Sequence, residues 1–206
     1  MPGPVELGKP ADEVAPALLG ARLRHTTAEG TVTVELTEVE AYLGEADPAS
    51  HAYRGRTPRN EVMFGPAGYL YVYFSYGMHW CANVVTGEDG TASAVLLRAG
   101  RVIEGRELAQ VRRGPRVPER GLARGPACLT QALGIDRSHH GAYLFGGELT
   151  LLDGPQPARV MTGPRVGVSL AHDVPLRFWV PDEPTVSAYK RSPRAPAAPP
   201  PSGVVD

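Results

Sequence analysis

The 206-residue chain is poor in cysteine and has no long apolar run. Its two cysteines, Cys81 and Cys128, belong to no Cys-x-x-Cys motif, and no His-x-x-x-His pair exists, which argues against structural zinc or a disulfide framework. No apolar stretch approaches the roughly 20 residues of a membrane-spanning helix, and no secretory leader is recognisable. We therefore expect a cytoplasmic protein that has no membrane segment and binds neither a metal nor another cofactor.

Lysine is also scarce, because Lys9 and Lys190 are the only two and both lie near the termini. A reaction through a lysine Schiff base would need one of them, so the sequence disfavours that mechanism. Arginine supplies the other strong bases, and eight arginines against three glutamates fall between Arg98 and Arg124. Because arginine suits bidentate phosphate contacts, this segment is either a nucleic-acid contact or a solvated helix face.

Length and composition predict one folded domain followed by a short tail. A chain of 206 residues is enough for a single domain with a full core, and the net charge of -1 argues only weakly against a nucleic-acid partner. We assign residues 1–190 to the domain. The proline-rich residues 191–206 are expected to form a disordered tail.

Local patterns predict an α+β fold around an antiparallel sheet. Apolar and aromatic segments separated by short turns predict a three-stranded antiparallel meander at residues 69–74, 79–85 and 93–98. Later strands are predicted at residues 166–170 and 176–180.

Three helices are expected beside these strands. The first covers residues 12–19 with Asp12 as its N-cap, although Pro16 lies inside it. The second covers residues 102–113. The third covers residues 126–133, where Pro126 begins the helix and Gly134 follows its end.

Glutamates occupy positions in the segment of residues 38–42 where a strand would place core side chains. Residues 31–36 alternate polar and apolar side chains, which is typical of a half-buried strand with even positions inward. Continuing that alternation turns Glu38, Glu40 and Tyr42 towards the core. A buried carboxylate must be paired, hydrogen-bonded or protonated, and such groups cluster at functional sites. The alternative is that the strand ends near Leu36 and both glutamates lie in a solvated turn.

The residues around these strands suit a pocket for a planar ring. Tyr42, His51 and Tyr73 offer flat faces for stacking, and Asn83 can both donate to and accept from a base edge. A glutamate such as Glu40, held away from water, can act as a general base. Each tyrosine taken alone is also consistent with ordinary sheet packing. The histidine alone fits a solvated loop, and the asparagine alone fits a turn.

The order and spacing of many short motifs resemble the alkyladenine (3-methyladenine) DNA glycosylase family over roughly residues 5 to 188. The resemblance rests on Glu38-Val39-Glu40-Ala41-Tyr42-Leu43-Gly44, His51, Arg56-Thr57-Pro58-Arg59-Asn60, Met63-Phe64, Leu70-Tyr71-Val72-Tyr73, Tyr76-Gly77-Met78, Asn83 and Leu96-Leu97-Arg98-Ala99. Weaker similarity continues in Gly125-Pro126, Gln131-Ala132-Leu133, Arg165-Val166-Gly167-Val168 and Pro175-Leu176-Arg177-Phe178. The family's fold implies that the sheet is curved and mostly antiparallel, with a protruding β-hairpin.

The resemblance implies a role for each matched residue of the pocket. Glu40 corresponds to the general base that activates water, and Arg98 to the arginine that helps to hold that water. Tyr42 and His51 correspond to the side chains that sandwich the flipped base, and Tyr73 to the one at its edge.

Further roles concern base selection and DNA contacts. Asn83 corresponds to the asparagine that disfavours the 2-amino group of normal guanine. Tyr76 corresponds to the hairpin-tip residue that enters the DNA in place of the flipped nucleotide. Thr57, Arg59 and Met63 are expected to contact the DNA backbone.

The resemblance therefore predicts a monomeric, monofunctional DNA glycosylase that removes alkylated or deaminated purines from double-stranded DNA and leaves an abasic site. A nucleoside or RNA N-glycosidase with the same pocket is one alternative, against which the hairpin residue Tyr76 argues. A non-catalytic module that binds damaged DNA is another, against which Glu40, Arg98 and His51 argue. Cys128 departs from the pattern, because some relatives carry a lysine there.

Overall fold

The computed structural model describes residues 6–75 and 77–196, which combine three α-helices with one antiparallel sheet. The helices are α1 (Ala11–Leu18), α2 (Arg106–Arg113) and α3 (Pro126–Leu133). The strands are β1 (Arg22–Thr27), β2 (Gly30–Tyr42), β3 (Leu70–Ser75), β4 (His79–Val85), β5 (Ala94–Glu104), β6 (Leu149–Leu152), β7 (Met161–Gly163) and β8 (Arg177–Trp179). This architecture confirms the predicted α+β class.

The sheet is curled around its longest strand, β2, which pairs with three neighbours. The main strand order is β3-β4-β5-β2-β1-β6, and the short strand β8 pairs with both β2 and β7. Residues 30–35 of β2 pair with β1, residues 38–40 pair with β8, and β5 runs along the other side. Every pairing in the sheet is antiparallel, which confirms the curved antiparallel fold and the β3-β4-β5 meander.

The helices confirm two sequence signals and correct a third. Pro126 begins α3, and Gly134 follows it with a left-handed φ of 72°, as predicted. The first helix begins at Ala11 after Pro10, so the prediction that Asp12 caps it is wrong. The Asp12 side chain instead lies in the first helical turn, where a carboxylate interacts favourably with the helix dipole.

Two of the predicted elements have different boundaries or structures. Residues 102–104 belong to β5 rather than to a helix, because Gly105 ends the strand with φ 71° and α2 begins at the next residue. A side chain at Gly105 would place its Cβ 2.0 Å from the Thr31 carbonyl oxygen. The predicted strand at residues 166–170 is also wrong, because this segment is irregular and follows β7. Strands β1, β6 and β7 were not predicted.

A β-bulge in β2 changes which of its side chains face the core. Leu36 pairs with Gly100 of β5 and Glu38 pairs with Ala99, so Thr37 is an extra residue in β2. Such an insertion reverses the alternation of faces. The core side chains are accordingly at even positions before the bulge and at odd positions after it: Val32, Val34, Leu36, Val39 and Ala41.

The bulge corrects the predicted orientation of Glu38, Glu40 and Tyr42. These residues lie on the face opposite the apolar core of β2, yet neither glutamate has any exposed surface. The strand continues to Tyr42, so the alternative of a solvated turn is also wrong. Burial of the two carboxylates was therefore predicted correctly, but from an alternation that the bulge interrupts.

Three parts of the sequence predictions lie outside the described residues. They are residues 1–5 of the predicted domain, Tyr76, which comes between β3 and β4 in the sequence, and residues 197–206 of the predicted tail. Residues 191–196 are described, and Ser192 within them is buried. Within the described residues, no helix is long and apolar enough to cross a membrane.

Candidate active site

A cavity of about 550 Å³ opens on the face of the sheet that carries the buried glutamates. This volume lies within the range typical of small-ligand pockets. Strands β2 to β5 supply its base. Its walls come from the loop at residues 48–60, the 3-10 helix Glu61–Phe64 that follows it, and the irregular residues 166–169. The lining side chains are mostly aromatic and polar: Tyr42, Pro48, Ala49, His51, Arg59, Met63, Tyr71, Tyr73, Phe74, Ser75, Cys81, Asn83, Leu96, Arg98, Pro126, Val166, Val168 and Ser169.

Glu40 lies directly behind the cavity wall and is held by groups that line it. Its Oε1 accepts a hydrogen bond from the Val166 amide at 2.7 Å and lies 3.4 Å from Nη1 of Arg98. Its Oε2 accepts a hydrogen bond from the Tyr42 hydroxyl at 2.9 Å. A carboxylate oxygen can accept two hydrogen bonds, so Oε2 keeps the capacity to bind a water molecule.

The surroundings of Glu40 make its carboxylate a stronger base than an ordinary surface glutamate. Burial raises the pKa of Glu40, while the charge of Arg98 and the hydrogen bonds from Val166 and Tyr42 oppose that rise. A carboxylate with a raised pKa, still held in its charged form by a cation, has the properties of a general base.

Arg98 is placed by a second bulge, this time in β5. Glu38 pairs with Ala99 and Val39 pairs with Leu97, which leaves Arg98 as the extra residue. Bulges beside active sites commonly redirect a side chain, and this one directs Arg98 towards the two glutamates. Burial alone would lower the pKa of Arg98, but the charges of Glu40 and Glu38 hold that pKa above its ordinary value.

Glu38 is the anchor of this arrangement, although the sequence did not predict its contacts with Arg98, Arg177 and Ser187. Its Oε1 accepts hydrogen bonds from Nε of Arg98 at 3.0 Å, Nε of Arg177 at 2.7 Å and the Ser187 hydroxyl at 2.9 Å. Its Oε2 accepts a hydrogen bond from the Ser187 amide at 2.7 Å. The Pro-Leu-Arg-Phe motif pointed to Arg177, but no local signal pointed to Ser187.

A buried ion pair supports Tyr42 on the side away from the cavity. The Arg165 guanidinium lies 4.7 Å from the centre of the Tyr42 ring and donates to Asp47 at 2.5 and 2.8 Å. Arg165 also donates to the Ala41 carbonyl at 2.9 Å. Neither Arg165 nor Asp47 was among the predicted site residues. Their pairing fixes the ring plane that faces the cavity.

Three aromatic rings on the opposite wall form a connected group. His51 contacts Tyr73 edge to face, with ring centres 4.5 Å apart, and its Nδ1 lies 3.1 Å from the Tyr71 hydroxyl. Desolvation inside the cavity, together with the nearby Arg59, lowers the pKa of His51. The lowered pKa favours the neutral form of the imidazole, which lines the cavity.

The polar floor of the cavity includes Asn83, which is buried on β4. Its Nδ2 donates to the Tyr71 carbonyl at 3.1 Å, so the amide is held in one orientation. Leu96, opposite it on β5, and Cys81, also on β4, line the same region. The structure thus brings Arg98, Tyr42, His51, Tyr73 and Asn83 together in the lining of one cavity, and Glu40 contacts two of its lining residues from behind.

The residues predicted to contact a DNA backbone differ in their positions. Arg59 lies at the cavity rim, where its Nη2 is 3.5 Å from the Phe74 carbonyl. Met63 is buried and lines the cavity wall. Thr57 is exposed, and its amide donates to Oδ1 of Asn60 at 2.6 Å. Thr57 and Arg59 therefore lie on an exposed loop, and Met63 lies in the short 3-10 helix Glu61–Phe64 that follows this loop.

Most arginines of the basic segment bind groups of the protein itself. Arg101 pairs with Glu35, Arg106 with Glu119, and Arg112 with Glu29. Arg113 donates to the Leu122 carbonyl at 2.8 Å and to Sγ of Cys128 at 3.0 Å, and Arg124 donates to the Val186 carbonyl at 2.9 Å. These contacts favour a mainly structural role for the segment. In the part of the chain that is described, no cluster of three or more potential metal ligands occurs.

Comparison with known proteins agrees with this geometry. A family model described as methylpurine-DNA glycosylase matches residues 6–184. A protein of Nocardia farcinica is 56% identical over 190 residues, and one of Streptomyces avermitilis is 54% identical over 188 residues; each match covers 88% of both chains. A Corynebacterium glutamicum protein is 48% identical over 191 residues, which are 93% of this chain and 89% of the relative. All three are provisionally named 3-methyladenine DNA glycosylases.

Proposed function

The chain belongs to the methylpurine-DNA glycosylase family of DNA-repair enzymes, and from this we propose that it removes alkylated or deaminated purines from duplex DNA. The observation that carries the proposal is a fully buried glutamate behind an aromatic cavity. The substrates proposed are 3-methyladenine, 7-methylguanine, ethenoadenine and hypoxanthine. Each would be flipped out of the helix before its N-glycosidic bond is hydrolysed.

In the proposed reaction, Glu40 takes a proton from a water molecule that attacks C1′ of the deoxyribose. The bond between C1′ and the purine nitrogen breaks, and its electron pair leaves with the base. Arg98 holds the water and stabilises the charged form of Glu40. The sugar passes through an oxocarbenium-like transition state, as in glycosidases. A cationic alkylated purine leaves as a neutral base, whereas an uncharged lesion such as hypoxanthine leaves as an anion that takes a proton from solvent. The other product is an abasic site.

The distribution of lysine supports hydrolysis without a following lyase step. A lyase would need an amine to form a Schiff base with the sugar. Lys9 is exposed on the surface, Lys190 is exposed near the end of the described chain, and neither lines the cavity. We therefore assign a monofunctional activity to the protein.

Stacking offsets the cost of extruding the base. Flipping costs a few kcal/mol, and least for a damaged or mispaired base, while each stacking contact returns roughly 1–3 kcal/mol. Tyr42 and His51 are proposed to lie on the two faces of the flipped purine, with Tyr73 at its edge. A cationic alkylated purine gains about 1 to 2 kcal/mol more from a tyrosine face, by cation–π attraction.

Asn83 is proposed to select against normal guanine. Its amide is anchored to the Tyr71 carbonyl, so the side chain cannot turn away when a base enters. The 2-amino group of an entering guanine would clash with this amide, because the amide cannot move aside. Adenine-derived lesions and hypoxanthine lack that amino group and avoid this clash. The cationic 7-methylguanine carries it, and cation–π attraction to the tyrosine faces is proposed to offset the cost.

Contacts outside the cavity are proposed to bind an intact duplex. The β3-β4 hairpin exposes Phe74 and Met78 near its turn, where Tyr76 is proposed to fill the gap left by the flipped nucleotide. Thr57, Arg59 and Met63 are proposed to hold the backbone beside the cavity mouth. We propose that the protein acts on DNA as a monomer in the cytoplasm, without a cofactor.

The test of this function is base release from matched substrates. Duplexes that each carry one 3-methyladenine, 7-methylguanine, ethenoadenine or hypoxanthine are incubated with the protein, and released bases are identified by mass spectrometry. Release of at least one lesion base, with an intact abasic strand, supports the proposal. Release from free nucleosides or RNA at equal rates would favour the nucleoside or RNA N-glycosidase. Tight lesion binding without release would favour the non-catalytic module.

A further inference from the structure

We propose that Ser187 is a positioning residue of the active site, which fixes Arg98 in the orientation needed to hold the attacking water. Ser187 lies in residues 185–190, the C-terminal strap, which follows β8 and contacts β2 and β5. This inference rests on the proposed function, because it assigns Ser187 to the reaction that Glu40 and Arg98 are proposed to perform. The matched family model ends at residue 184, so it does not cover this residue.

The Ser187 hydroxyl connects the two charged groups that flank it. It donates to Oε1 of Glu38 at 2.9 Å and accepts from Nη2 of Arg98 at 3.2 Å. The Ser187 amide donates to the other Glu38 oxygen at 2.7 Å. One residue therefore holds both oxygens of Glu38 and one end of the guanidinium group.

Arg98 depends on these contacts because Glu40 does not hold it closely. The closest approach of Arg98 to Glu40 is 3.4 Å, whereas its Nε donates to Glu38 at 3.0 Å and its Nη2 to Ser187. Two contacts on different nitrogens fix the plane of a guanidinium group, while one contact leaves it free to rotate. A misplacement of the order of 1 Å in an active site can cost about 10²-fold in rate.

The strap itself is held at several points, so Ser187 has a fixed position. The Ser187 carbonyl accepts a hydrogen bond from Nη2 of Arg177 at 2.8 Å, and the adjacent Val186 carbonyl accepts one from Arg124 at 2.9 Å. The Thr185 hydroxyl lies 2.9 Å from that of Thr37. These contacts fasten the strap to β2, β8 and the segment before α3.

The experiment compares Ser187→Ala with Ser187→Thr, which keeps the hydroxyl. Single-turnover excision from a hypoxanthine or 7-methylguanine duplex is expected to fall about tenfold or more in Ser187→Ala. Affinity for the same duplex is expected to stay at the wild-type value, and Ser187→Thr is expected to restore most of the rate. Equal rates in wild type and Ser187→Ala would overturn the inference, as would a loss of affinity that accounts for the whole decrease.

The matched control is Thr185→Val, which removes a hydroxyl from the same strap without touching Glu38 or Arg98. It is expected to lower the melting temperature but to slow excision much less than Ser187→Ala does, because Arg177 and Arg124 still hold the strap. If Thr185→Val slows excision as much as Ser187→Ala does, the strap acts only through stability and the inference is wrong. If Ser187→Ala does not fold, Ser187→Cys, with a similar shape and a weaker donor, replaces it in the same comparison.

A double-mutant cycle and a pH profile test whether Ser187 acts through Arg98. Adding Ser187→Ala to Arg98→Gln should slow excision no further, and additive losses would overturn the inference. A looser Arg98 should also move the acidic limb of the rate profile to higher pH in Ser187→Ala. The titratable and charged groups that face Glu40 are Glu38, Tyr42, Tyr73, Cys81, Arg98 and Arg165.

Failure of this inference is distinguishable from failure of the proposed function. If the wild-type protein releases no lesion base, the proposed function itself fails. If the wild-type protein releases the base and Glu40→Gln does not, while Ser187→Ala matches wild type, only the role of Ser187 is wrong.

Discussion

Tyr42 and Glu40, two residues apart on β2, are joined by a hydrogen bond of 2.9 Å from the tyrosine hydroxyl to carboxylate Oε2. The tyrosine ring lines the cavity, and the carboxylate lies directly behind it. One strand therefore carries both the proposed stacking surface and the proposed general base. Stacking of a purine on Tyr42 would help to set the distance between its sugar carbon and a water held by Glu40.

Glu40→Gln should keep lesion binding and lose excision. The amide preserves the shape of the side chain but cannot take a proton from water, so single-turnover excision should fall by about 10²-fold or more. Binding to a lesion duplex, measured by fluorescence anisotropy, should be retained. Glu88→Gln, a change at an exposed turn, is the matched control and should behave as wild type. Near-normal excision by Glu40→Gln would remove Glu40 from its proposed role.

Tyr42→Phe should shift the pH dependence of excision while keeping the stacking surface. Burial raises the pKa of Glu40, and the Tyr42 hydroxyl opposes that rise, so losing the hydroxyl should raise the pKa further. The base form of Glu40 exists above its pKa, so excision should increase with pH through that value. The acidic limb should therefore move to higher pH in the variant. A limb that moves to lower pH, or does not move, would contradict the proposed coupling.

Asn83→Ser should relax selection against normal guanine. The shorter side chain loses both the amide that faces the cavity and its anchor on the Tyr71 carbonyl. Release of guanine from undamaged duplex DNA, followed by mass spectrometry, should increase while release of hypoxanthine changes less. Unchanged guanine release would show that Asn83 does not select among bases.

Tyr76→Ser should weaken binding to a lesion duplex far more than binding to a free base. An intercalating ring contributes roughly 1–3 kcal/mol of stacking inside the helix, but it contributes nothing to a base that is already free. The two affinities can be compared by competition with a fluorescent lesion duplex. Equal losses for duplex and free base would argue against insertion of Tyr76 into DNA.

Arg165→Met should destabilise the fold strongly, because it leaves the carboxylate of Asp47 buried without its partner. Breaking a buried ion pair from one side typically costs about 3–5 kcal/mol of unfolding free energy. The double variant Arg165→Met with Asp47→Asn should recover part of that loss, since no unpaired charge remains. Urea unfolding measures both variants. A single-variant loss no larger than that of the double variant would contradict this account.

The same pair makes a defined contribution to the pH dependence of stability. Burial alone would raise the pKa of Asp47, but the hydrogen bonds and charge of Arg165 hold it below the ordinary value. The pair therefore contributes its full stabilisation at pH values above the pKa that Asp47 has in the unfolded chain. That stabilisation is lost as the pH falls through the lower pKa that Asp47 has in the folded protein. In the double variant, this part of the acid destabilisation should be absent.

The sequence alone determined the elements whose signals are local. The aromatic run of β3, the return strand β4 and helix α3 with Pro126 and Gly134 were predicted because the preferences of aromatic residues, turns, proline and glycine act within a few residues. The order of short motifs also identified the family. It predicted six residues of the candidate site, which are Glu40, Tyr42, His51, Tyr73, Asn83 and Arg98. The residue types of Tyr42, Tyr73, Asn83 and Glu40 alone indicated a pocket that could stack on a planar ring, bind its edge and supply a base.

Only the tertiary structure decided how these residues face one another. The bulge at Thr37 exists because β2 pairs with β5 in a particular register. The sequence of β2 by itself does not predict that register. Ser187 and Glu38 are 149 positions apart, and Arg165 and Asp47 are 118 apart. Local patterns describe each residue's own strand or loop, whereas a hydrogen bond between distant residues depends on the closure of the whole fold.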